Sequence, residues 1–438
     1  MSSPQASPEI VAQYLEQLQG LALPVEVWLR DVLPVRCGGV TTAVLDQLTA
    51  GGLFVWAGAG SGRIRPLLRG SGAVFLAGDG DRLIAGTPGA AELSDRARRV
   101  MEYLGGHGAS FFGDMRKALT LSLHALNNAL AELFWSGLVT NDVFSEILRV
   151  KRIVKESDDI PDERLEVTRP RSTLRSSPEL AAARRAIRQV PGWSGRWSLL
   201  RTPSDLGEDR SATEIAREQA GQLLRRYGIV AREVHRREHM LPWGVIAADL
   251  QRMEMRGDIR RGYFLEGLSG MQFALPGAVE SIRSVREADG SSIVVLNSCD
   301  PASPYGIVER ERQAVGEPAE GREEGRHRRV GGSGPAAVQR APSTFIVLRD
   351  GVPVMVMENY GKRVRTSEKA EGAAPEAVRR GIGHLKRLLD LPEPLRPGRE
   401  IVIELWNGER ASASAAAGIL REEKFRGGPG QSMVYDGY

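Results

Sequence analysis

Arginine is concentrated where a predicted helix runs into a predicted β-hairpin, between residues 252 and 261. A guanidinium group carries a fixed positive charge and a planar fork of donors that matches the oxygens of a phosphate. Arginines at the end of one helix and the start of the next hairpin are therefore suited to contact a phosphodiester backbone. A solvated face in a protein-interaction platform is the alternative interpretation. The candidate DNA contacts are Arg252, Arg256, Arg260 and Arg261.

A second pattern combines two histidines with a glutamate in the sequence HRREH, which begins at His235. On a helix this spacing would bring His235 and His239 onto one face beside Glu238, as in some zinc-dependent hydrolases. The sequence offers no evident third ligand. We therefore predict no metal site and no cofactor, and we interpret Arg236 and Arg237 as part of a basic, DNA-facing turn.

The sequence lacks the motifs of a nucleotide-driven motor. It contains no GxxxxGK[ST] phosphate-binding loop, because the glycine-rich stretch at 58–62 is not followed by Lys-Ser or Lys-Thr. No acidic DExx box follows a predicted strand, and Gly60-Ser61-Gly62 is not a GxSxG hydrolase elbow. We expect no intrinsic ATPase or helicase activity.

Composition places the 438-residue chain among ordinary soluble proteins, with 42% hydrophobic and 26% charged residues. No apolar run reaches the roughly 20 residues that span a bilayer, and the first residues do not resemble a secretory signal. Two cysteines far apart, Cys37 and Cys299, fit a reducing compartment. Seven of the 59 basic residues are lysines and the other 52 are arginines, an excess that a GC-rich genome alone could produce. We expect a cytoplasmic, nucleoid-associated protein without membrane contact.

Three segments share the order helix, helix, β-hairpin that is typical of a winged helix. In the third and clearest segment, the predicted helices and the two strands of the wing cover residues 213–227, 231–237, 243–255, 259–264 and 271–275. We assign winged-helix domains to residues 1–90, 91–155 and 208–285.

A basic linker at residues 156–207 separates the second and third of these domains. Between residues 169 and 201 it holds eight arginines and one acidic residue, together with two tryptophans. It is either a solvated connector whose tryptophans fill a neighbouring core, or a stripe that follows phosphates and stacks on bases. The second interpretation makes Arg196 and Trp193 candidate DNA contacts.

After residue 285 the pattern changes to short strands interrupted by two helices. Strands are predicted at 292–296, 344–348, 352–357 and 400–405, and helices at 374–389 and 412–421. We predict an α+β protein in which tandem winged helices precede a mixed β-barrel-like domain over residues 286–438. A charged, glycine-rich loop at 317–340 is expected to be flexible.

Several motifs resemble the C-terminal region of the Lhr (large helicase-related) family. They occur in family order between about Val27 and Phe425 and read VWLRDVLPVR, GASFFGDM, FWSGLVTNDVF, GRWSLL, LLRRYGIVAREV, GDIRRGYFLEGLSGMQFALPGAV and DPASPYG. The resemblance implies tandem winged helices followed by a β-barrel module, an arrangement similar to bacterial DNA glycosylases. The helicase engine with which Lhr proteins begin has no counterpart in this sequence, and the 317–340 loop is unusually rich in charge.

The resemblance also implies a candidate chemistry, since some family members are linked to uracil excision by this region. Excision needs a flipped base and a carboxylate that activates water and stabilises the oxocarbenium ion of the sugar. Asp436 follows the last predicted strand between aromatic residues and is the favoured carboxylate, with a frayed tail acid as the alternative. Glu266 and Asp300 are lesser candidates, for which core or turn roles compete.

Three functions remain open from the sequence. The first is the DNA-binding C-terminal module of an Lhr-type helicase in DNA repair, which binds single-stranded or duplex DNA and assists a separately encoded helicase. The second is an autonomous glycosylase that excises uracil or another damaged base, and the third is a protein-interaction scaffold. The dependence of DNA affinity on salt concentration distinguishes the third function from the other two, because proteins that contact phosphates lose affinity steeply as the salt concentration rises.

Overall fold

In a computed structural model, the chain folds into two compact units. The first comprises Met1–Val25, Cys37–Gln222 and Glu238–Asp249, and the second comprises Glu26–Arg36, Leu223–Arg237 and Leu250–Tyr438. The structure describes residues 6–60, 62–76, 93–157, 193–200, 206–208, 210–266, 268, 270–285, 292–305, 338–367, 375–393 and 395–437. Within these ranges, no helix has the length and apolar character that crossing a membrane requires.

The first winged helix begins at α1 (Pro8–Gln17), where Ser7 caps the first turn and Pro8 fits the first helical position. The strands β1 (Leu23–Pro24), β2 (Phe54–Gly58) and β3 (Arg63–Leu68) form an antiparallel sheet in the order β1-β3-β2. The helices that follow β1 are α2 (Val25–Val27), a π-helical turn (Trp28–Val32), α3 (Leu33–Cys37) and α4 (Thr42–Ala50).

In its described residues, the second winged helix has four helices and a small sheet. Ser94 and Ser122 accept hydrogen bonds from backbone N–H groups at the starts of its first and third helices, α5 and α7. Its sheet has the order β4-β6-β5. In chain order its elements are α5 (Asp95–His107), β4 (Ser110–Phe111), α6 (Phe112–Leu119), α7 (Leu123–Trp135), β5 (Val139–Asn141), α8 (Phe144–Ser157) and β6 (Arg196–Leu199).

The end of the predicted basic linker is the central strand of this second sheet, not a solvated connector. Trp197 on β6 is fully buried, with its ring 6.4 Å from Phe134 and 5.4 Å from Trp193. Trp193 is also buried and donates its indole N–H to Asn127. Both tryptophans therefore belong to a core, whereas residues 158–192 lie outside the described residues.

The third winged helix confirms the predicted order of three helices and a wing. The second helix is shorter than predicted, and the third has the predicted bounds. The sheet order is β7-β9-β8, and Ile229, Ala274 and Val279 form a small core beneath it. The elements are α9 (Ala212–Tyr227), β7 (Ile229–Val230), α10 (Arg232–His235), α11 (Trp243–Met255), β8 (Arg260–Gly262), β9 (Gln272–Ala274) and α12 (Pro276–Ser284).

The C-terminal part is a mixed α/β region in which one long helix packs on a sheet. That helix, α13 (Pro375–Arg387), approaches closely at Gly381, where an added Cβ would lie 2.8 Å from Met355 Sδ and 2.9 Å from Val347 Cγ2. The other elements are β10 (Ile293–Asn297), β11 (Phe345–Arg349), β12 (Val352–Glu358), β13 (Arg363–Thr366), β14 (Ile401–Ile403), β15 (Leu405–Trp406), β16 (Glu409–Arg410), α14 (Ala417–Glu422), β17 (Arg426–Gly427) and β18 (Met433–Tyr435).

The described strands of this region do not close into the barrel that the sequence suggested. They form an open six-stranded sheet, β10-β11-β12-β13-β15-β16, and a separate three-stranded sheet, β14-β18-β17. Alternating short strands look the same in an open sheet and in a barrel, so the pattern alone could not reveal closure. Of the loop predicted to be flexible, residues 317–337 lie outside the described residues. Val338 is buried and Arg340 donates to the Cys299 carbonyl at 3.0 Å, so 338–340 belong to the fold.

Candidate functional site

Four of the sequence-predicted arginines surround the base of the third wing. Arg252 lies on the last turn of α11, Arg256 directly follows that helix, and Arg260 and Arg261 begin β8. All four arginines are exposed, and Ile259 is the only buried residue between Arg252 and Arg261. The segment therefore presents four positive charges around one structural corner.

The structure does not bring all four guanidinium groups onto one face. Arg261 Nε lies 3.9 Å from Glu254 Oε1 on α11, whereas Arg260 Nη2 lies 4.0 Å from Glu280 Oε1 on α12. The difference arises because neighbouring residues of a strand point to opposite sides. Exposed ion pairs of this length contribute about 0–1 kcal/mol to stability. Replacing either carboxylate partner by a phosphate group therefore costs little free energy.

The HRREH sequence takes positions that differ from a solvated turn. His235 and Glu238 are buried, whereas Arg236, which follows α10, is exposed as predicted. Arg237 donates to the carbonyl oxygens of Ser303 at 2.9 Å and Pro304 at 3.2 Å, so it fastens that turn of the second unit. Among the described residues, no group of three or more His, Cys, Asp and Glu side chains is arranged to hold a metal ion.

The two candidate contacts from the linker have different surroundings. Arg196 is exposed at the start of β6, and its Nε lies 3.0 Å from Asp142 Oδ2. Trp193 is only 5% exposed, and the Arg149 guanidinium lies 5.3 Å from the centre of one of its rings. Since Trp193 offers no open ring face, its burial favours the core interpretation over base stacking.

Asp436 lies at the end of β18 in the small sheet β14-β18-β17. Ile401 pairs with Tyr435 in the antiparallel register, and continuing that register by one residue brings Glu400 opposite Asp436. Asp436 is not a frayed tail acid, because it forms an ion pair with Arg426 on β17. The sheet thus holds two carboxylates and one guanidinium near one end.

A groove runs along the face of this sheet that bears Glu400. Its polar groups include the carboxylates of Glu400 and Glu404, the latter 3.3 Å from Lys362 Nζ. It is lined by Glu400, Val402, Glu404, Arg410, Pro429, Gly430, Ser432 and Val434. Glu400 and Asp436, both with carboxylate side chains, lie opposite each other in the strand register at one end of the sheet. Two carboxylates beside a concave surface can position a water molecule and stabilise a developing positive charge.

Asp436 is not among the residues that line this groove, and neither of the two lesser carboxylate candidates lines it. Asp300 is 1% exposed, and its two oxygens each lie 2.7 Å from an Arg36 nitrogen in a bidentate pair. Its role is therefore structural, in agreement with the competing core interpretation. Glu266 is exposed in the wing between β8 and β9.

A buried polar cluster that sequence analysis missed anchors Glu26–Arg36 within the second unit. Arg30 Nη2 lies 2.7 Å from Asp31 Oδ2 and donates to the Pro342 carbonyl at 2.8 Å, while Asn297 Nδ2 donates to the same Asp31 oxygen at 2.9 Å. Burial raises the pKa of Asp31 to about 6, against the opposing effect of Arg30. The only sequence signal was an adjacent Arg-Asp pair inside an apolar run.

His384 on α13 is a second titratable group in the same region, and it is partly buried. Its ring centre lies 4.8 Å from that of Phe345. Burial, together with the positive charges of Arg387 and Arg30, lowers the pKa of His384 to about 4. The imidazole is therefore neutral at physiological pH, which fits a packing role.

Comparison with known proteins relates this chain to the large helicase-related proteins. The model of the third winged-helix domain of large helicase-related proteins matches residues 2–78, and the model of the fourth matches residues 209–293. An Lhr helicase/probable uracil glycosylase of Mycolicibacterium smegmatis is 30% identical over 389 residues, which cover 86% of this chain and 23% of that protein. The chain is a C-terminal Lhr-like region.

Two further similarities complete the comparison of this Lhr-like chain. An Lhr helicase/uracil glycosylase of Escherichia coli is 28% identical over 313 residues, covering 68% of the chain and 19% of that protein. The chain thus spans about a fifth of the length of both curated relatives. The Streptomyces sahachiroi DNA glycosylase AlkZ aligns with a TM-score of 0.44 and 16% identity, over 87% of this chain and 96% of that one.

The matched Lhr domains correspond to the first and third winged helices. The match to the third Lhr domain spans α1 to β3, and the match to the fourth spans α9 to the first residue of β10. The second of these ranges contains the wing and the four arginines at its base. The second winged helix, α5 to β6, lies between the two matches. The matches to these two domains confirm the family resemblance that was inferred from the motifs.

Proposed function

We propose that this Lhr-like chain binds DNA through its third winged helix. The observation that carries the proposal is the exposure of four arginines around the junction of α11 and β8: Arg252, Arg256, Arg260 and Arg261. In helix-turn-helix proteins the recognition helix lies in the major groove, the position that α11 would occupy. Contacts from these arginines to phosphates carry no base information, so we expect modest sequence specificity.

Charge reversal tests this proposal. Changing all four arginines to glutamate should lower duplex affinity more than tenfold and flatten the dependence of log K on log salt by about one unit per lost contact. The matched control makes the same net charge change at four exposed arginines of the C-terminal region: Arg363, Arg380, Arg399 and Arg421.

The two variants give separate answers. A larger loss in the wing variant than in the control supports the proposal, and unchanged affinity in the wing variant refutes it. Absence of salt-dependent DNA binding by the wild-type chain would favour the protein-interaction scaffold instead.

A second candidate function, base excision, is favoured by the pair Glu400 and Asp436. A glycosylase needs a carboxylate beside a pocket for the flipped base. Asp436 directly follows β18 and is held by Arg426, and the strand register brings it opposite Glu400, which lines the groove. Both curated relatives carry uracil glycosylase in their names, and uracil opposite guanine is weakly paired, which lowers the cost of flipping.

Release of uracil from a labelled duplex tests this second function. Asp436→Asn is nearly isosteric and should abolish alkali-labile sites while changing DNA affinity less than twofold, and Glu400→Gln should slow their formation. Asp390→Asn, at an exposed acid outside the groove, is the control. No product from wild type refutes excision of uracil, and full activity of Asp436→Asn moves the chemistry to another residue.

We also infer that the chain acts in DNA repair beside a separately encoded helicase. Both curated relatives are named as helicases, and this sequence contains no phosphate-binding loop. A tagged chain should recover a helicase from cells in a complex that survives nuclease treatment, and it should be associated with the nucleoid. DNA-stimulated ATP hydrolysis by the purified chain alone would contradict this arrangement.

A further inference from the structure

The wing of the third winged helix exposes a flat aromatic ring beside positive charges. Tyr263 directly follows β8 and is 76% exposed, and Leu265 and Met271 are 38% and 39% exposed nearby in the same wing. Arg260 and Arg261 precede the tyrosine on the strand. Three exposed apolar side chains in one short wing are more than the single scattered ones that are ordinary on a protein surface, and a concentration of this kind is typical of a binding site.

A buried amide holds the wing in the shape that exposes these side chains. Gln272 is fully buried, and its Oε1 accepts the backbone N–H groups of Phe264 and Leu265, both at 2.9 Å. Its Nε2 donates to the Leu265 carbonyl at 2.8 Å. Phe264 packs against the small core beneath the sheet, so the residues on either side of it, Tyr263 and Leu265, are turned outward.

The surroundings of Tyr263 define the chemistry of its partner. The partner must offer an apolar, flat surface to the ring and negative charge to Arg261, which lies two residues before Tyr263 and so points to the same side of the strand. A nucleobase with its flanking phosphates meets both requirements, because every base has a π face and every linkage carries a charge. In a continuous duplex the base faces are covered by their neighbours, so the ring needs a base that has left the stack.

We propose that Tyr263 stacks on an unpaired base, with Leu265 and Met271 bordering the contact. The chain would then prefer DNA that contains a bulge or a single-strand to double-strand junction over continuous duplex. This inference rests on the proposed DNA-binding function and names the substrate class of the same winged helix. Side chains of this kind are used as wedges at base steps by other DNA-binding proteins.

The test compares the affinities of the full-length chain for a perfect duplex and for the same duplex with a single-base bulge, labelled with 2-aminopurine. Wild type should bind the bulged DNA about tenfold more tightly and quench the probe. Tyr263→Ala should lose this preference and the quenching while keeping its affinity for the perfect duplex. Tyr263→Phe should retain both, because the ring is preserved.

Phe111→Ala is the matched control, since Phe111 is a 54% exposed ring in the sheet of the second winged helix. It should leave the preference for the bulge unchanged. Equal wild-type affinity for both DNAs, or a preference that survives in Tyr263→Ala, overturns the inference while DNA binding stands. If Tyr263→Ala binds both DNAs as tightly as the wild type does, the exposed wing tip is instead a surface that contacts another protein. Failure of the DNA-binding proposal is seen separately, in the arginine variants.

Discussion

Gln272 and Leu265 exchange two hydrogen bonds across the third wing: the amide Nε2 donates to the Leu265 carbonyl at 2.8 Å, and the Leu265 N–H donates to Oε1 at 2.9 Å. The strands β8 and β9 pair over only three residue positions, from Arg260↔Ala274 to Gly262↔Gln272. A ladder this short gives the tip beyond Gly262 little backbone support. The shape of the wing therefore depends on one buried amide side chain.

Removing that amide should loosen the wing without unfolding the domain. Gln272→Leu keeps a similar volume but leaves the N–H groups of Phe264 and Leu265 and one carbonyl without their partner, at a cost of about 1–3 kcal/mol. Hydrogen exchange at these two amides should accelerate at least tenfold. Gln251→Leu, at an exposed position of α11, is the control and should leave their exchange unchanged. Equal exchange in wild type and Gln272→Leu would show that the tip is supported in another way.

The bidentate pair between Arg36 and Asp300 should be a major source of stability in the second unit. Asp300→Ala leaves the largely buried Arg36 without its carboxylate, which we expect to cost about 3 kcal/mol in urea unfolding. Asp258→Ala breaks the exposed pair with Arg256 and should cost less than about 1 kcal/mol. Similar losses in the two variants would contradict the argument from burial.

Local patterns in the sequence predicted the helices and wing of the third winged helix and the longer strands of the C-terminal region. The bounds of α11 were predictable because Ile246 and Leu250 recur at helical spacing and Gly257, with φ +83°, ends the turn that follows. The longer strands of the C-terminal region followed from short apolar runs between turn residues, and the wing followed from two short segments around glycines. Closure of a sheet depends on which strands pair, and no local pattern contains that information.

The candidate sites were predictable only where neighbours in sequence act together. The arginines of α11 and β8 lie within ten residues, so their charge pattern was visible. Asp31 and Asn297 are 266 positions apart, and only folding shows that they share a hydrogen bond. The opposition of Glu400 and Asp436 likewise follows from strand register, which the spacing of the two acids does not reveal.

The neutral His384 should make stability depend on pH. Its pKa is about 4 in the folded chain and 6.5 when unperturbed, so between these values the unfolded state binds more protons. The free energy of unfolding contributed by His384 therefore falls as pH drops from 6.5 to 4, by about 3 kcal/mol in total. Asp31, with a pKa raised from 3.8 to about 6, acts in the opposite sense as pH falls below 6.

Comparing wild type with His384→Leu isolates the histidine contribution, because Asp31 is present in both. Urea unfolding between pH 7 and pH 4 should show that the wild type loses more stability than the variant. Stability curves that run parallel over this range would mean that His384 does not titrate differently in the two states.

Trp193 and Tyr263 should respond to substitution in opposite ways. Trp193 is 5% exposed and bonded to Asn127, so Trp193→Ala should cost about 3–5 kcal/mol, and Trp193→Phe about 1–2 kcal/mol through the unpaired amide oxygen. Tyr263→Ala removes a ring that is 76% exposed and should change stability by less than about 0.5 kcal/mol.

Urea unfolding measures these changes in stability, and DNA affinity is then measured on Trp193→Phe under conditions where that variant is folded. That affinity should equal the wild-type value, since the indole has no open face for a base. A several-fold loss of affinity in Trp193→Phe with unchanged stability would instead support the base-stacking interpretation of the linker.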